Sequence, residues 1–167
     1  VAGVEVKLQL DDREARELFA RLKASGARNR GLMAEIGSVL EQSTRDRFDS
    51  ETSPAGIPWA PISKEWKEEK AERGFNTGIM KMRGDLLRST RFENDDNSVS
   101  VIQSQPYAAI HHYGGEIRPK KGRALVVRGR LLGKVTIPAR PSIGVSTEDR
   151  SEILDAVADF IGRIGRR

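Results

Sequence analysis

Two adjacent histidines, His111 and His112, are the only imidazoles in this 167-residue chain. Sequence neighbours point to opposite faces of a strand, or diverge by about 100° around a helix, so the two cannot readily share one metal ion. With no cysteine in the chain, a thiolate zinc site, a disulfide framework and a cysteine nucleophile are excluded. A surface or interface role therefore outweighs ligation for both histidines. Ser, His and Asp all occur, but no Gly-x-Ser-x-Gly elbow presents a serine. Asp11-Asp12 and Asp95-Asp96 read as a helix cap and a turn, because adjacent carboxylates rarely converge on one substrate as acid and base. Gly129-Arg130-Leu131-Leu132-Gly133-Lys134 approximates a phosphate loop, yet only three residues separate its glycines. Val135 also stands where a magnesium-binding Ser or Thr is needed, so the segment reads as a turn between strands. No catalytic residue, cofactor or metal site is assigned, and the expectation is a protein that is not an enzyme.

Charge is the more informative chemistry. The chain carries a net +5, which permits an anionic partner without requiring one. Residues 117–146 hold eight cations (Arg118, Lys120, Lys121, Arg123, Arg128, Arg130, Lys134 and Arg140) and no acid, so the rest of the chain sums to −3. The basicity is thus local. It suits either a solvated hairpin or contact with a polyanion or an acidic subunit face. Aromatic residues make up only 5% of the chain, which leaves few stacking platforms and disfavours base readout.

The elements that must position these residues follow from periodicity. The length suits one domain, residues 1–167, and Leu, Ile, Val and Phe make up about 24% of it, enough for an aliphatic core. Val4, Val6, Leu8 and Leu10 alternate with polar residues as in a half-buried strand. Asp11 or Asp12 then caps a helix carrying Ala15, Leu18, Phe19 and Leu22 and stopped by Gly26. A second helix follows Asn29, with Leu32, Met33, Ile36, Val39 and Leu40 as its apolar stripe and Arg45, Asp46 and Arg47 toward its wet end. Residues 50–63 hold four prolines and glycines around Trp59, which anchors the loop. Residues 64–73 read as a solvated helix or arm, so 50–78 form one excursion from the domain.

A short helical turn is expected near Leu86 and Leu87, and then a β-hairpin from 91–93 to 98–102 about Asn94-Asp95-Asp96-Asn97. Strands at 124–127 and 134–137 make a basic hairpin excursion over 117–137. Ile153, Leu154, Val157, Phe160, Ile161 and Ile164 line a final helix capped by Ser146 or Thr147. The expected class is α+β: a single domain in which a mixed or antiparallel sheet packs against N- and C-terminal helices. No apolar run approaches a membrane span, and the first residues lack the layout of a signal peptide. The expectation is a soluble protein made inside the cell.

Three ordered segments carry a resemblance. They are Gly56-Ile57-Pro58-Trp59-Ala60-Pro61-Ile62-Ser63 with the later Ile79-Met80-Lys81-Met82-Arg83-Gly84-Asp85-Leu86-Leu87-Arg88-Ser89; Pro106-Tyr107-Ala108-Ala109-Ile110-His111-His112-Tyr113-Gly114-Gly115; and Pro138-Ala139-Arg140-Pro141-Ser142-Ile143-Gly144-Val145-Ser146. Over residues 10 to 165 the chain resembles the phage virion morphogenesis family, the tail completion proteins of Mu-like and P2-like phages. Pro141-Ser142-Ile143 departs from the family's aromatic-Leu pair, and Met82 from its usual Thr.

The resemblance implies a structural virion protein, of tail-terminator type, that completes the head-proximal end of the tail and prepares it to join the head. Related terminators form six-fold rings around a channel, so a homohexamer at the virion neck is implied, assembled in the host cytoplasm. Its implied partners are further copies of itself, the tail tube protein, the head–tail connector or neck proteins, and passing genomic DNA read without sequence specificity. The alternative is a DNA-binding accessory protein acting through 118–140. Candidate interface residues are Trp59, Trp66, His111, His112, Tyr113 and Arg140. Candidate contacts to DNA or an acidic partner are Arg118, Lys120, Lys121, Arg123, Arg128, Arg130 and Lys134. Tyr107 is expected to anchor its segment in the core, and Gly114-Gly115 to make a turn closed to any Cβ.

Overall fold

The computed structural model describes residues 4–6, 13–24, 29–120 and 124–164. Its centre is α2, Arg30–Ser50, whose turns bury Leu32, Met33, Ile36, Leu40 and Phe48. A three-stranded antiparallel sheet, in the order β1 (Val4–Val6), β3 (Val99–Gln103), β2 (Thr90–Asn94), packs against this helix. On β3, Val101 enters the core and stands in backbone register with Val6 of β1 and Phe92 of β2. Gly37 lets the sheet approach: a Cβ there would collide with the Phe92 ring. Leu22 of α1 (Arg13–Ala24) and Ile153 and Val157 of α6 (Thr147–Ile164) close the core. The chain is a single α+β domain with small antiparallel sheets and helices at both ends.

The expected β2–β3 hairpin forms, and its turn has a specific cause. Asp95 accepts hydrogen bonds from the Asn97 and Ser98 N–H groups, each at 2.7 Å, and from Ser98 Oγ at 3.0 Å, an Asx-type closure of the loop. At α6, Ser146 Oγ accepts from Asp149 N while Asp149 Oδ2 accepts from Ser146 N. This reciprocal capping box fixes the helix start. The expected turn at Leu86 is α4, Asp85–Arg88. Leu8, Leu10, Asp11, Asp12 and Gly26 lie outside the described residues, as do the side chains of Val4, Val6, Ala15, Leu18 and Phe19.

Two expectations are corrected. Arg47, placed at the wet end of its helix, is 5% exposed. Its guanidinium donates to the carbonyls of Ser142 and Gly144, to Ser43 Oγ, and to Asp149 Oδ2 at 2.5 Å. A buried charge is tolerated only with such complete pairing. The second correction concerns register in the basic excursion. The strands at 124–127 and 134–137 do not pair with each other. Instead β5 (Leu125–Val127) pairs with β6 (Arg130–Leu132), and β4 (Gly115–Ile117) pairs with β7 (Val135–Ile137). Arg128 and Gly129 take positive φ, 52° and 74°, the two-residue turn that matches strand twist. That turn closes the ladder too early for 134–137 to join it.

Candidate functional site

The three segments that carry the family resemblance converge in space. From the proline-rich loop, Trp59 stands edge-on to Phe48 with centroids 5.5 Å apart, and its Nε1 donates to Pro141 O at 2.9 Å. Arg140 returns the contact: Nε donates to Ala60 O at 2.8 Å and Nη2 to Pro61 O at 3.3 Å. The Arg140 N–H donates to His111 O at 2.7 Å, which joins this strap to α5, Ala108–Tyr113. Gly114 sits at φ 71°, and a Cβ there would stand 2.7 Å from Ala139 N. The turn after α5 therefore leaves the 138–141 strap no room for a side chain. Ser142 Oγ continues the tie by donating to Gln103 Oε1 on β3.

These contacts reassign several candidates. Trp59 (5% exposed), His112 (8%) and Arg140 (6%) are buried within the subunit, so most of their surface is spent on contacts inside it. Each is enclosed by contacts within one chain. Tyr113 is 65% exposed and remains on the surface, while His111 and Trp66 are half-buried. Tyr107, expected in the core, is 41% exposed and meets the His111 ring edge-on at 5.8 Å. Burial holds the pKa of His111 below the ordinary histidine value, with Arg140 acting the same way, and burial alone does so for His112. Nδ1 of both rings is buried without a hydrogen-bond partner among the described residues, which suits neutral imidazoles used for packing.

Three of the five described cations of the basic excursion are ion-paired. Arg118 and Lys134 share Glu116 at 2.8 and 2.5 Å. Arg128 pairs with Glu69 at 2.7 Å, donates to Glu65 O and lies over the Trp66 ring, clamping the basic excursion, hereafter the basic arm, on α3, Lys64–Glu72. Lys120 and Arg130 are exposed without an ion pair among the described residues. Lys121 and Arg123 lie outside the described residues.

Between α3, the 80–85 segment, α5 and the arm opens a cleft of about 740 Å³. Ile62, Trp66, Met80, Met82, Tyr107 and Ile137 supply its apolar wall, and Lys70, Arg83, Arg128 and Arg140 its cations. Lys70 was missed by the sequence reading, which took α3 as solvated. It is 2% exposed, donates to Gly78 O at 2.7 Å, and burial holds its pKa below the usual lysine value, with Glu51 pulling the other way. The signal available was weak: on a helix Lys70 falls on the same face as Trp66. Among the described residues no cluster of three or more His, Cys, Asp or Glu side chains is placed to hold a metal ion, and no helix is long and apolar enough to cross a membrane.

No solved structure matches the chain. Among curated proteins it is 29% identical to the Mu-like prophage FluMu G protein 2 of Haemophilus influenzae, across 94% of this chain and 95% of that one. It is 28% identical to the putative capsid assembly protein G of Escherichia phage Mu, across 78% of each chain, and 23% identical to the Haemophilus influenzae FluMu G protein 1, across 90% of each. A family model described as the phage virion morphogenesis family matches residues 10–161. The motifs that meet around Arg140 fall inside that match, and the chain belongs to the phage virion morphogenesis family.

Proposed function

We propose that this protein completes the head-proximal end of a phage tail, as a tail terminator at the neck, and makes that end competent to join the head. The family gives it a structural role in phage morphogenesis, and the observation that carries the finer reading is the strap of three motifs. A subunit that must present a fixed outline to several neighbours needs its loops tied to its core, and Trp59, Arg140 and Gly114 do that here. In this reading copies of the chain form a closed ring, a hexamer by analogy with related terminators, meeting the tail tube on one face and the connector on the other. A ring requires two different complementary surfaces on each subunit. Among the described residues, Lys120 and Arg130 are the cations of the basic excursion open to an acidic neighbour or to passing DNA. The role is scaffolding, without catalysis.

The test is genetic and microscopic. Interrupting the gene in the phage that carries it is expected to yield filled heads and separate tails, with joining restored by the wild-type chain in trans. Virions of normal yield and morphology in its absence overturn the reading.

A further inference from the structure

Three cations of the cleft form no ion pair among the described residues: Lys70, Arg83 and Arg140. Lys70 and Arg140 are more than nine-tenths buried and rest on backbone carbonyls. Glu51 acts on both of them only from beyond ion-pair range, and it is occupied in accepting the Ile79 N–H. The carboxylate in the cleft wall, Asp85, is taken by Arg88. Lys70 and Arg140 are satisfied by those carbonyls and add a fixed positive potential to the cleft, and Arg83, the exposed cation of its lining with no ion pair among the described residues, is the one left for an incoming carboxylate.

The complementary surface lies elsewhere on the same chain. Glu148, Ser151, Glu152, Asp155, Ala158 and Asp159 of α6 are all exposed. Their spacing places them on one helical face, and the four acids form no ion pair among the described residues. No residue of α6 lines the cleft, so the subunit does not supply that carboxylate from its own α6. Ser151 and Ala158 keep the face low enough for a helix to enter a groove.

We propose that the cleft of one subunit receives the acidic face of α6 from a second copy of this chain, with Arg83 opposite the Glu148–Glu152 end of that face. The two surfaces differ, so the contact is heterologous and propagates around a ring. This rests on the ring reading above and names its interface. The unpaired acids of α6 favour a second copy of this chain as the occupant, and nucleic acid, which also brings anions, is the competing outcome of the experiment below.

Charge exchange tests it. Arg83 and Glu152 are both exposed in the subunit, so R83E and E152R are expected to fold as the wild type does. Sedimentation velocity of the full chain across a concentration series should show each single variant weakening self-association about tenfold or more. The R83E/E152R double variant should return to within about threefold of wild type, as coupled sites do. Rings that ignore both reversals, or singles that weaken without mutual rescue, overturn this interface while leaving the tail-completion reading intact. A wild-type chain that stays monomeric at every concentration overturns the interface and leaves the genetic test to decide that reading. A fluorescent duplex DNA probe whose binding is lost in R83E, with self-association unchanged, assigns the cleft to nucleic acid and overturns the proposal.

Discussion

At the residue scale, the pair that most needs explaining is Arg47 with Asp149. Helical periodicity does put Arg47 on the buried face, since it follows Leu40 by seven residues. Its charge argued the other way, and its partner lies 102 residues along the chain, beyond the reach of any local pattern. Removing one member strands the other: R47M is expected to cost about 3–5 kcal/mol in urea unfolding at neutral pH, and R47M/D149L recovers only part of that loss, because the Ser142 and Gly144 carbonyls and the Ser146 N–H lose their partners. The pH sign follows from Asp149. Burial pushes its carboxyl up, but the Ser146 N–H, Ser43 and the Arg47 guanidinium outweigh burial and hold it below the ordinary value. Its contribution is therefore full above the unfolded carboxyl range near 3.9 and lost as pH falls through the lower folded value. The gap between wild type and D149N in urea midpoints should accordingly close on acidification. The two tryptophans divide in the same physical way. W59A empties a core position and is expected to lose about 3–5 kcal/mol in thermal melts. W66A gives up partial cover and an arginine stack, worth about 1 kcal/mol.

Among elements, those with strong internal periodicity were readable: α2, α6, and the β2–β3 hairpin with its Asp95 turn. What failed was the pairing of short strands, where three-residue runs carry no register of their own. At Arg128-Gly129 the turn decides the register, because a bulky residue and a glycine both accept positive φ there. At Gly114 a tertiary contact decides it, and no sequence rule announces that Ala139 N will lie against the missing Cβ. These two glycines predict losses of different size. G129A meets open space, so it should cost only the left-handed backbone penalty of about 1–2 kcal/mol and loosen the β5–β6 pairing seen in NMR cross-strand contacts. G114A adds a backbone collision to the same penalty, so its thermal midpoint should fall well below that of G129A. Equal midpoints for the two variants refute the strap as a fixed feature.

Across the whole molecule, composition located the positive charge in 117–146 but could not show how much of it was already neutralised. Pairing reaches across elements: Glu116 on β4 takes Arg118 and Lys134, and Glu69 on α3 takes Arg128. This changes what a nucleic-acid assay should read. If all seven candidate cations from Arg118 to Lys134 met phosphates, the slope of log affinity against log salt would be about −6. With Arg118, Arg128 and Lys134 held in ion pairs, at most four cations are free to displace counterions, and the expected slope is no steeper than about −4. E116Q removes the shared acid and releases two cations, so it should steepen the slope by about 2 while leaving the thermal midpoint nearly unchanged, because these pairs are exposed. Fluorescence anisotropy with a duplex of arbitrary sequence, titrated at several salt concentrations, measures both slopes. A wild-type slope near −6, or one that E116Q leaves unmoved, means that the pairs open on contact and that the arm engages DNA with all its charges.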